Sequence, residues 1–359
     1  MKVLSLFDGI SCLRVALGNR EIDYTASEID KNAIKISKKN YPDIKHIGSV
    51  KDIEYIPGID LLCGGSPCTD LSIAKKDRKG LDGEHSSLFW EYVRILKLIK
   101  PKWFILENVN SMPKKDRDII TTELGVQPIM IDAALVSAQS RKRLFWTNIP
   151  VVGLPADRNI KVKDILEPDA EPDERMTTAD GKAYCLKARY SGATEKHSVK
   201  TKQSTMVKFT ASKGKSKGAI KVGFIGEGEQ NGQGGQAHRV YSSDGKTPTL
   251  GSGSCGLIQV GHIGNTNSQG NRVYDPEGKS VTLSANGGGG GAKTGLYQTP
   301  KIRKLTPIEC ERLQSLPDNY TQGIATTNRY KALGNAFNVE VIKFILSFIP
   351  QDSPQLIKL

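Results

Sequence analysis

A cysteine preceded by proline stands at the end of a short apolar run. Gly64-Gly65-Ser66-Pro67-Cys68 directly follows Ile59–Cys63. Proline fixes the backbone before the thiol and removes one N–H. A thiol at the carboxyl edge of a strand, at or near a helix start, is favoured as thiolate. The spacing offers a nucleophile; the alternative is an inert buried cysteine, which suits Cys12 and Cys63. Glu107-Asn108-Val109 ends a second run, Trp103–Leu106. A carboxyl group at the end of a buried strand can have a raised pKa and donate a proton, or it can cap a loop. In Gln139-Ser140-Arg141-Lys142-Arg143 an extended backbone puts Arg141 and Arg143 on one side, facing one bound anion or base, or forming a solvated basic strand. Phe7-Asp8-Gly9-Ile10-Ser11 follows the first apolar run and opens a helix. Its glycine lets a ligand approach the backbone, and the helix start supplies free N–H groups. Glu28 lies 19 residues beyond Gly9, a spacing at which an acid can hydrogen-bond ribose hydroxyls. That pair suits a nucleoside cofactor.

These groups need a scaffold. Apolar runs at Lys2–Phe7, Tyr24–Ile29, Ile59–Gly65 and Trp103–Glu107 alternate with helical patterns at Ser11–Leu17, Asn32–Asn40 and Ser87–Ile99. Strands alternating with helices imply a parallel α/β sheet, which binds ligands at the carboxyl ends of its strands. The chemistry-bearing residues fall at those ends. Helical patterning returns after Lys301, where Thr306-Pro307-Ile308-Glu309 is a helix start, and Glu340–Ile349 has an apolar face expected to pack on the first domain.

The 359 residues suffice for two domains or one large one, and 38% apolar content argues against overall disorder. The net charge of +13 favours polyanion partners. The six cysteines include no Cys-x-x-Cys pair and the histidines do not cluster with them, so neither a metal site nor a disulfide framework is expected. No stretch approaches the roughly 18 apolar residues of a membrane span. The apolar start Met1–Leu6 is too short for a signal peptide. A soluble cytoplasmic protein is expected.

Composition changes near residue 155. Lys182–Lys221 holds 11 Lys/Arg against one acid, and residues 223–295 hold 20 of the 36 glycines. Short strands and turns are expected there. A repeat is visible: Arg239-Val240-Tyr241 with Asp244-Gly245-Lys246 matches Arg272-Val273-Tyr274 with Glu277-Gly278-Lys279 at an offset of 33. A weaker copy runs from Arg175 to Leu186. Asp/Glu-Gly marks a hairpin turn, so each copy reads as strand–turn–strand. The copies are either packing hairpins or loops presenting Arg and Lys to phosphates, and the charge favours the second.

In order and spacing this set closely resembles the DNA cytosine-5 methyltransferase family, over nearly the whole chain outside residues 156–300. Phe7–Ser11 resembles its S-adenosylmethionine (SAM) loop and Glu28 its ribose-binding acid, while Asp52-Ile53 is similar to its adenine-contacting pair. Pro67-Cys68, Glu107-Asn108-Val109 and Gln139-x-Arg141-x-Arg143 resemble its catalytic elements. Arg303-Lys-Leu-Thr-Pro-x-Glu309-x-x-Arg312-Leu-Gln-x-x-Pro317 and Gly334-Asn335-Ala336 are similar to its later segments. There are departures: Gly9-Ile10-Ser11-Cys12 stands for the usual Gly-x-Gly-Gly, Ile29 for an aromatic, and Phe337 for a smaller residue.

The resemblance implies a SAM-dependent methyltransferase fold, an α/β Rossmann-like mixed sheet flanked by helices, with a smaller, irregular β-rich target-recognition domain. The catalytic domain would be residues 1–155 plus 325–359, and the recognition domain 156–324. SAM, leaving as S-adenosylhomocysteine, would be held by Phe7, Asp8, Gly9, Ile10, Ser11, Glu28, Ile29, Asp52, Ile53, Ser66, Pro67, Leu88, Asn335 and Ala336. Cys68 would attack cytosine C6, Glu107 would hydrogen-bond and protonate the ring, Arg143 would hold O2, and Arg141 would support the base and the loop. The base must leave the duplex. Thr69–Ser87 would close over it, with Ser72, Lys75, Lys76, Arg78 and Lys79 at the DNA. Arg239, Lys246, Arg272 and Lys279 would join them from the repeats. The implied partner is double-stranded DNA, acted on by a monomer in a bacterial or phage-infected cytoplasm. A cognate restriction endonuclease and an orphan enzyme both stay open. The competing readings are a tRNA cytosine-5 methyltransferase, opposed by the large basic Gly-rich region, and an inactive DNA-binding regulator, opposed by joint retention of Cys68, Glu107, Arg141 and Arg143.

Overall fold

The computed structural model describes residues 1–67, 88–168, 170–209 and 301–350, with the backbone of short strands at 221–224, 239–241, 259–262, 272–274 and 296–297. Its centre is a seven-stranded sheet. The strands are β1 (Lys2–Leu6), β2 (Asp23–Ser27), β3 (Lys45–His46), β4 (Leu61–Gly64), β5 (Trp103–Val109), β6 (Ile129–Asp132) and β7 (Lys142–Thr147). They lie in the order β3-β2-β1-β4-β5-β7-β6. The first five are mutually parallel. β7 runs antiparallel to both β5 and β6, which makes the sheet mixed.

Near-continuous burial of β1, β4 and β5 is what a sheet covered on both faces requires. The helices α1 (Cys12–Leu17), α2 (Lys31–Asn40), α3 (Leu88–Ile99) and α4 (Lys114–Leu124) alternate with the strands. α3 buries Phe89, Tyr92, Val93, Ile95 and Ile99 in a core with Leu4, Leu6, Leu62, Leu106 and Trp146. Each such side chain contributes about 1.5–3 kcal/mol by leaving water. Asp30 caps α2 by accepting from the Asn32 and Ala33 amides. α4 stops at Gly125, whose φ of 68° favours the residue without a Cβ.

Downstream come β8 (Ala170–Pro172), α5 (Glu195–Thr201) and β9 (Met206–Phe209). β10 (Lys221–Phe224), β11 (Arg239–Tyr241), β12 (Gln259–His262), β13 (Arg272–Tyr274), β14 (Leu296–Tyr297) and β15 (Lys301–Lys304) follow. The chain ends on α6 (Pro307–Leu313), α7 (Thr326–Asn335) and α8 (Val339–Leu346). α6 opens with a reciprocal Thr306–Glu309 capping box. α8 buries Val339, Val341, Ile342, Ile345 and Leu346 and packs on α1.

The chain divides into two compact units. The first comprises Met1–Glu167, Pro172–Val207 and Lys304–Leu359; the second comprises Pro168–Glu171 and Lys208–Arg303. Residues 172–207 and 304–324, expected in the recognition domain, thus belong to the first unit. The reason is buried polar wiring that composition does not reveal. The Lys182 ammonium, 3% exposed, donates to the carbonyls of Ala134, Ser137 and Ile160. Gln139 Oε1 accepts from the Leu186 amide at 2.7 Å, and Glu309 Oε1 from the Glu167 amide at 3.0 Å.

In the second unit both Arg-Val-Tyr segments are strands. Each pairs with the strand before it: β11 with β10, and β13 with β12, both antiparallel. β14 joins β13 in parallel. The expected turns at Asp244-Gly245 and Glu277-Gly278, with Lys246 and Lys279, lie outside the described residues. The weaker third copy is in the first unit. Its Asp180-Gly181 turn is closed by hydrogen bonds between Thr178 and Lys182, and a 3-10 turn at Glu174–Met176 precedes it in place of a strand. Among the described residues no helix is long and apolar enough to cross a membrane.

Candidate active site

Two carboxylates mark the carboxyl edge of the sheet. Glu28 follows β2. Its Oε2 accepts from the Gly9 amide at 2.8 Å, and its Oε1 from the amides of Ile29 and Asp30 at 2.7 and 2.8 Å. The loop it grips has unusual backbone: Phe7, Gly9 and Ser11 all have positive φ, at 55°, 60° and 61°. Left-handed backbone costs a non-glycine residue roughly 1–3 kcal/mol and persists only when its surroundings impose it. Here buried side chains impose it. Asp8 turns its carboxylate inward, accepting from the Tyr24 hydroxyl and the Ser11 hydroxyl, both at 2.6 Å. Burial pushes the Asp8 carboxyl up, opposed by these hydrogen bonds. Ser11 Oγ also meets Ser37 Oγ at 2.7 Å, and the Tyr320 hydroxyl donates to the Ile10 carbonyl at 2.7 Å. Of the loop residues expected to hold a cofactor, Asp8 and Ser11 therefore offer backbone and not side chains.

Around the same edge Ile29 is 74% exposed, and Asp52 is exposed beside a buried Ile53. Arg94 fixes that turn by donating to the Val50 and Ile53 carbonyls. Leu88 is half-buried against the core at the start of α3. The donor set fits a nucleoside. A carboxylate offers about four acceptor positions, and three are used at Glu28. An apolar side chain and a second acid stand ready nearby.

Glu107 lies on β5. Antiparallel pairing sets Glu107 opposite Phe145 and Val109 opposite Arg143. Glu107 and Arg143 are therefore diagonal neighbours on one face, within reach of long side chains. They form an ion pair, Arg143 Nε to Glu107 Oε1 at 2.7 Å, with side chains only 16% and 13% exposed. The structure gives this candidate proton donor a cationic partner, because the register across two strands, invisible in either segment alone, sets the two side chains together.

Asn108 points the other way. Its Nδ2 donates to Ser66 Oγ at 3.1 Å and to the Ser66 carbonyl at 3.4 Å. This latches Gly65-Ser66-Pro67, the approach to Cys68, onto β5. Phe337 lies over the same loop: a Cβ on Gly65 would come within 2.8 Å of its ring and 3.0 Å of Glu107 Oε2. Cys68 itself lies outside the described residues, as do Ser72, Lys75, Lys76, Arg78 and Lys79.

Arg141 is 5% exposed and is committed to backbone carbonyls. It donates to Leu186 at 3.1 Å, Gly334 at 3.2 Å and Ala336 at 2.9 Å. It thereby ties the returning Asn335-Ala336 segment to residue 186. Gly334 must be glycine for this approach, since a Cβ there would lie 2.3 Å from the backbone of Lys187 and Ala188. Asn335 is exposed and Ala336 is buried. Glu107, Arg141, Arg143, Phe145, Phe337 and Asn338 help to line a small cleft.

Cys185 was missed. Its Sγ accepts from Arg141 Nη1 at 3.5 Å and from Arg143 Nη2 at 3.9 Å. Burial raises its thiol, but the two guanidiniums outweigh burial and hold it below the usual thiol value. Nothing in its neighbourhood in the sequence signals this. Arg94 and Tyr320 were missed for the same reason: they act on backbone far along the chain.

A model of the family described as C-5 cytosine-specific DNA methylase matches residues 1–351. The type II methyltransferase M.HhaI of Haemophilus parahaemolyticus is 27% identical, over 96% of this chain and 93% of its own. The orphan methyltransferase M.SPRI of Bacillus phage SPR is 27% identical, over 96% of each chain. Among solved structures, the methyltransferase EhMeth of Entamoeba histolytica superposes with a TM-score of 0.57 at 14% identity, covering 97% of both chains. The chain belongs to the C-5 cytosine-specific DNA methylase family.

Proposed function

We propose that this chain transfers a methyl group from SAM to C5 of a cytosine in double-stranded DNA. The observation that carries the reading is the half-buried Glu107–Arg143 pair beside the latched Ser66-Pro67 approach to Cys68. A neutral cytosine edge carries an acceptor at N3, a donor at N4 and an acceptor at O2. Entry of the base exchanges the ion pair for hydrogen bonds to the ring: Glu107 takes up a proton from solvent as it leaves Arg143, and the resulting acid beside the guanidinium matches that edge. Glu107 serves N3 and the amine, and Arg143 serves O2. Arg141 acts one step back, holding the walls. Cys68 adds its thiolate to C6, which makes C5 nucleophilic, and its departure with loss of the C5 proton restores the aromatic ring. The bound cofactor supplies an electrophilic methyl group. Glu28 would hold the ribose, Asp52-Ile53 and Ile29 would lie at the adenine, and Gly9 and its neighbours would offer backbone groups to the rest.

The target atoms are out of reach inside a duplex, so the base is flipped at a cost of a few kcal/mol. Residues 69–87 cover it, and the second unit reads the flanking sequence. Arg239 and Arg272 belong to that DNA-facing surface, with Lys246 and Lys279. The enzyme acts as a monomer in the cytoplasm of a bacterial or phage-infected cell, alone or beside a cognate restriction endonuclease.

Conversion-based methylation sequencing of plasmid DNA from expressing cells tests this. Wild type should protect cytosines within one short motif, and Cys68→Ser should protect none. Soluble wild-type protein that leaves every cytosine convertible would refute the DNA reading.

A further inference from the structure

The two hairpins of the second unit are one module used twice, and the structure shows more of the module than the Arg-Val-Tyr repeat does. The strand before each Arg-Val-Tyr also repeats: Lys221-Val-Gly-Phe224-Ile-Gly against Gln259-Val-Gly-His262-Ile-Gly. Connecting segments of unequal length, 225–238 against 263–271, hide this as a fixed-period repeat.

The pairing register is the same in both. Lys221 pairs with Tyr241, Gly223 with Val240 and Phe224 with Arg239; Gln259 pairs with Tyr274, Gly261 with Val273 and His262 with Arg272. Each hairpin has its register shift at the same step, between Lys221 and Gly223 and between Gln259 and Gly261. Such a bulge inserts one extra residue and restores the alternation of faces beyond it. Paired residues share a face. Lys221, Phe224, Arg239 and Tyr241 therefore fall on one face, where without the bulge Lys221 and Phe224 would fall on opposite faces. The corresponding face of the second hairpin holds Gln259, His262, Arg272 and Tyr274.

On this face the Arg and Tyr are the same in both copies. The other pair differs: Lys and Phe in one, Gln and His in the other. The opposite face holds Gly and Val in both. We infer that each hairpin presents one such face to the DNA, with Arg239 and Arg272 as common backbone contacts and Lys221/Phe224 and Gln259/His262 as specificity-determining pairs. A two-stranded ribbon fits the major groove, and Gln, Lys and His are base-edge readers, while an apolar residue suits the thymine methyl. This rests on the DNA-methylation reading.

Exchanging the pairs tests the assignment. Each incoming residue already stands at the same register position in the sister hairpin. Two double variants, Lys221→Gln with Phe224→His and Gln259→Lys with His262→Phe, are expressed beside wild type, and plasmid methylation is sequenced. The ratio of methylation at the wild-type motif to that at its single-base variants should fall about tenfold or more, or a new motif should appear. Single variants Phe224→His and His262→Phe should move the same ratio in the same direction, which covers a double variant that fails to fold. Val240→Ile, on the opposite face, should leave the ratio unchanged. Wild-type ratios in both double variants overturn the assignment alone. A wild type that methylates nothing overturns the DNA-methylation reading and this assignment with it.

Discussion

Glu28 and Glu107 both sit at the carboxyl edge of one sheet, yet they are held in opposite ways. Glu28, in the parallel half, is held by three backbone amides within its own loops. Glu107, beside the reversed strand β7, is held by the Arg143 side chain across a strand pair. A carboxylate fixed by backbone amides stays put when a ligand adds a further hydrogen bond. A carboxylate fixed by a side chain can exchange its partner for an incoming base. The first arrangement suits a cofactor bound the same way in every cycle. The second suits a substrate that must be gripped, chemically altered and released.

The largest expected effect breaks the exchangeable half. Glu107→Gln should lower kcat by about 10²–10⁴-fold, the usual range for a lost acid–base group, with SAM affinity retained. Retained kcat in steady-state methyl transfer would remove Glu107 from the chemistry. A second test concerns packing between Phe337 and Gly65. Gly65→Ala forces a Cβ to 2.8 Å from the Phe337 ring and should cost roughly 1–3 kcal/mol of stability by overpacking. Phe337→Ala in the same chain should restore part of it. Additive losses in thermal unfolding would show that the two do not compete for space.

The backbone-held half should respond differently. Glu28→Gln keeps one acceptor oxygen but loses the charge, and should raise the KM for SAM about tenfold, the worth of one charge-assisted hydrogen bond. The kcat at saturating SAM should be unchanged. A fall in kcat with constant KM would contradict the division of labour. The smallest effect is on pH dependence. Arg141 and Arg143 outweigh burial and hold the Cys185 thiol below its ordinary value of 9.0. A lowered acid stabilises the fold above its unfolded value, and that contribution is lost as pH falls through its folded value. The stability advantage of wild type over Cys185→Ser should therefore grow as pH rises toward 9 and level off beyond. A flat or falling difference in chemical denaturation would show that Cys185 stays a thiol.

The same contrast explains what the sequence made legible. Glu28 was recognisable because its partners are set by spacing: an acid after β2, 19 residues beyond Gly9. The alternation of strands and helices and the capping box at Thr306–Glu309 were legible for the same local reason. The Glu107–Arg143 pair was not, because it depends on strand register and on the reversal of β7. Arg141, expected to support the base and the loop, bonds carbonyls of residues 186, 334 and 336. Only packing reveals those partners. The unit boundary shifted because Lys182 and Leu186 are wired into the first unit, although their segment is basic and looked continuous with the Gly-rich region.

The proposed methyl transfer to cytosine C5 in duplex DNA depends on Cys68, Glu107 and Arg143. The most direct measurement supplies the purified chain with methyl-labelled SAM and, in parallel, duplex DNA or tRNA, then identifies the labelled nucleoside by chromatography. Wild type should place label in 5-methyl-deoxycytidine from duplex DNA, with none from Cys68→Ser. Label in tRNA, or on a position of cytosine other than C5, would contradict the account.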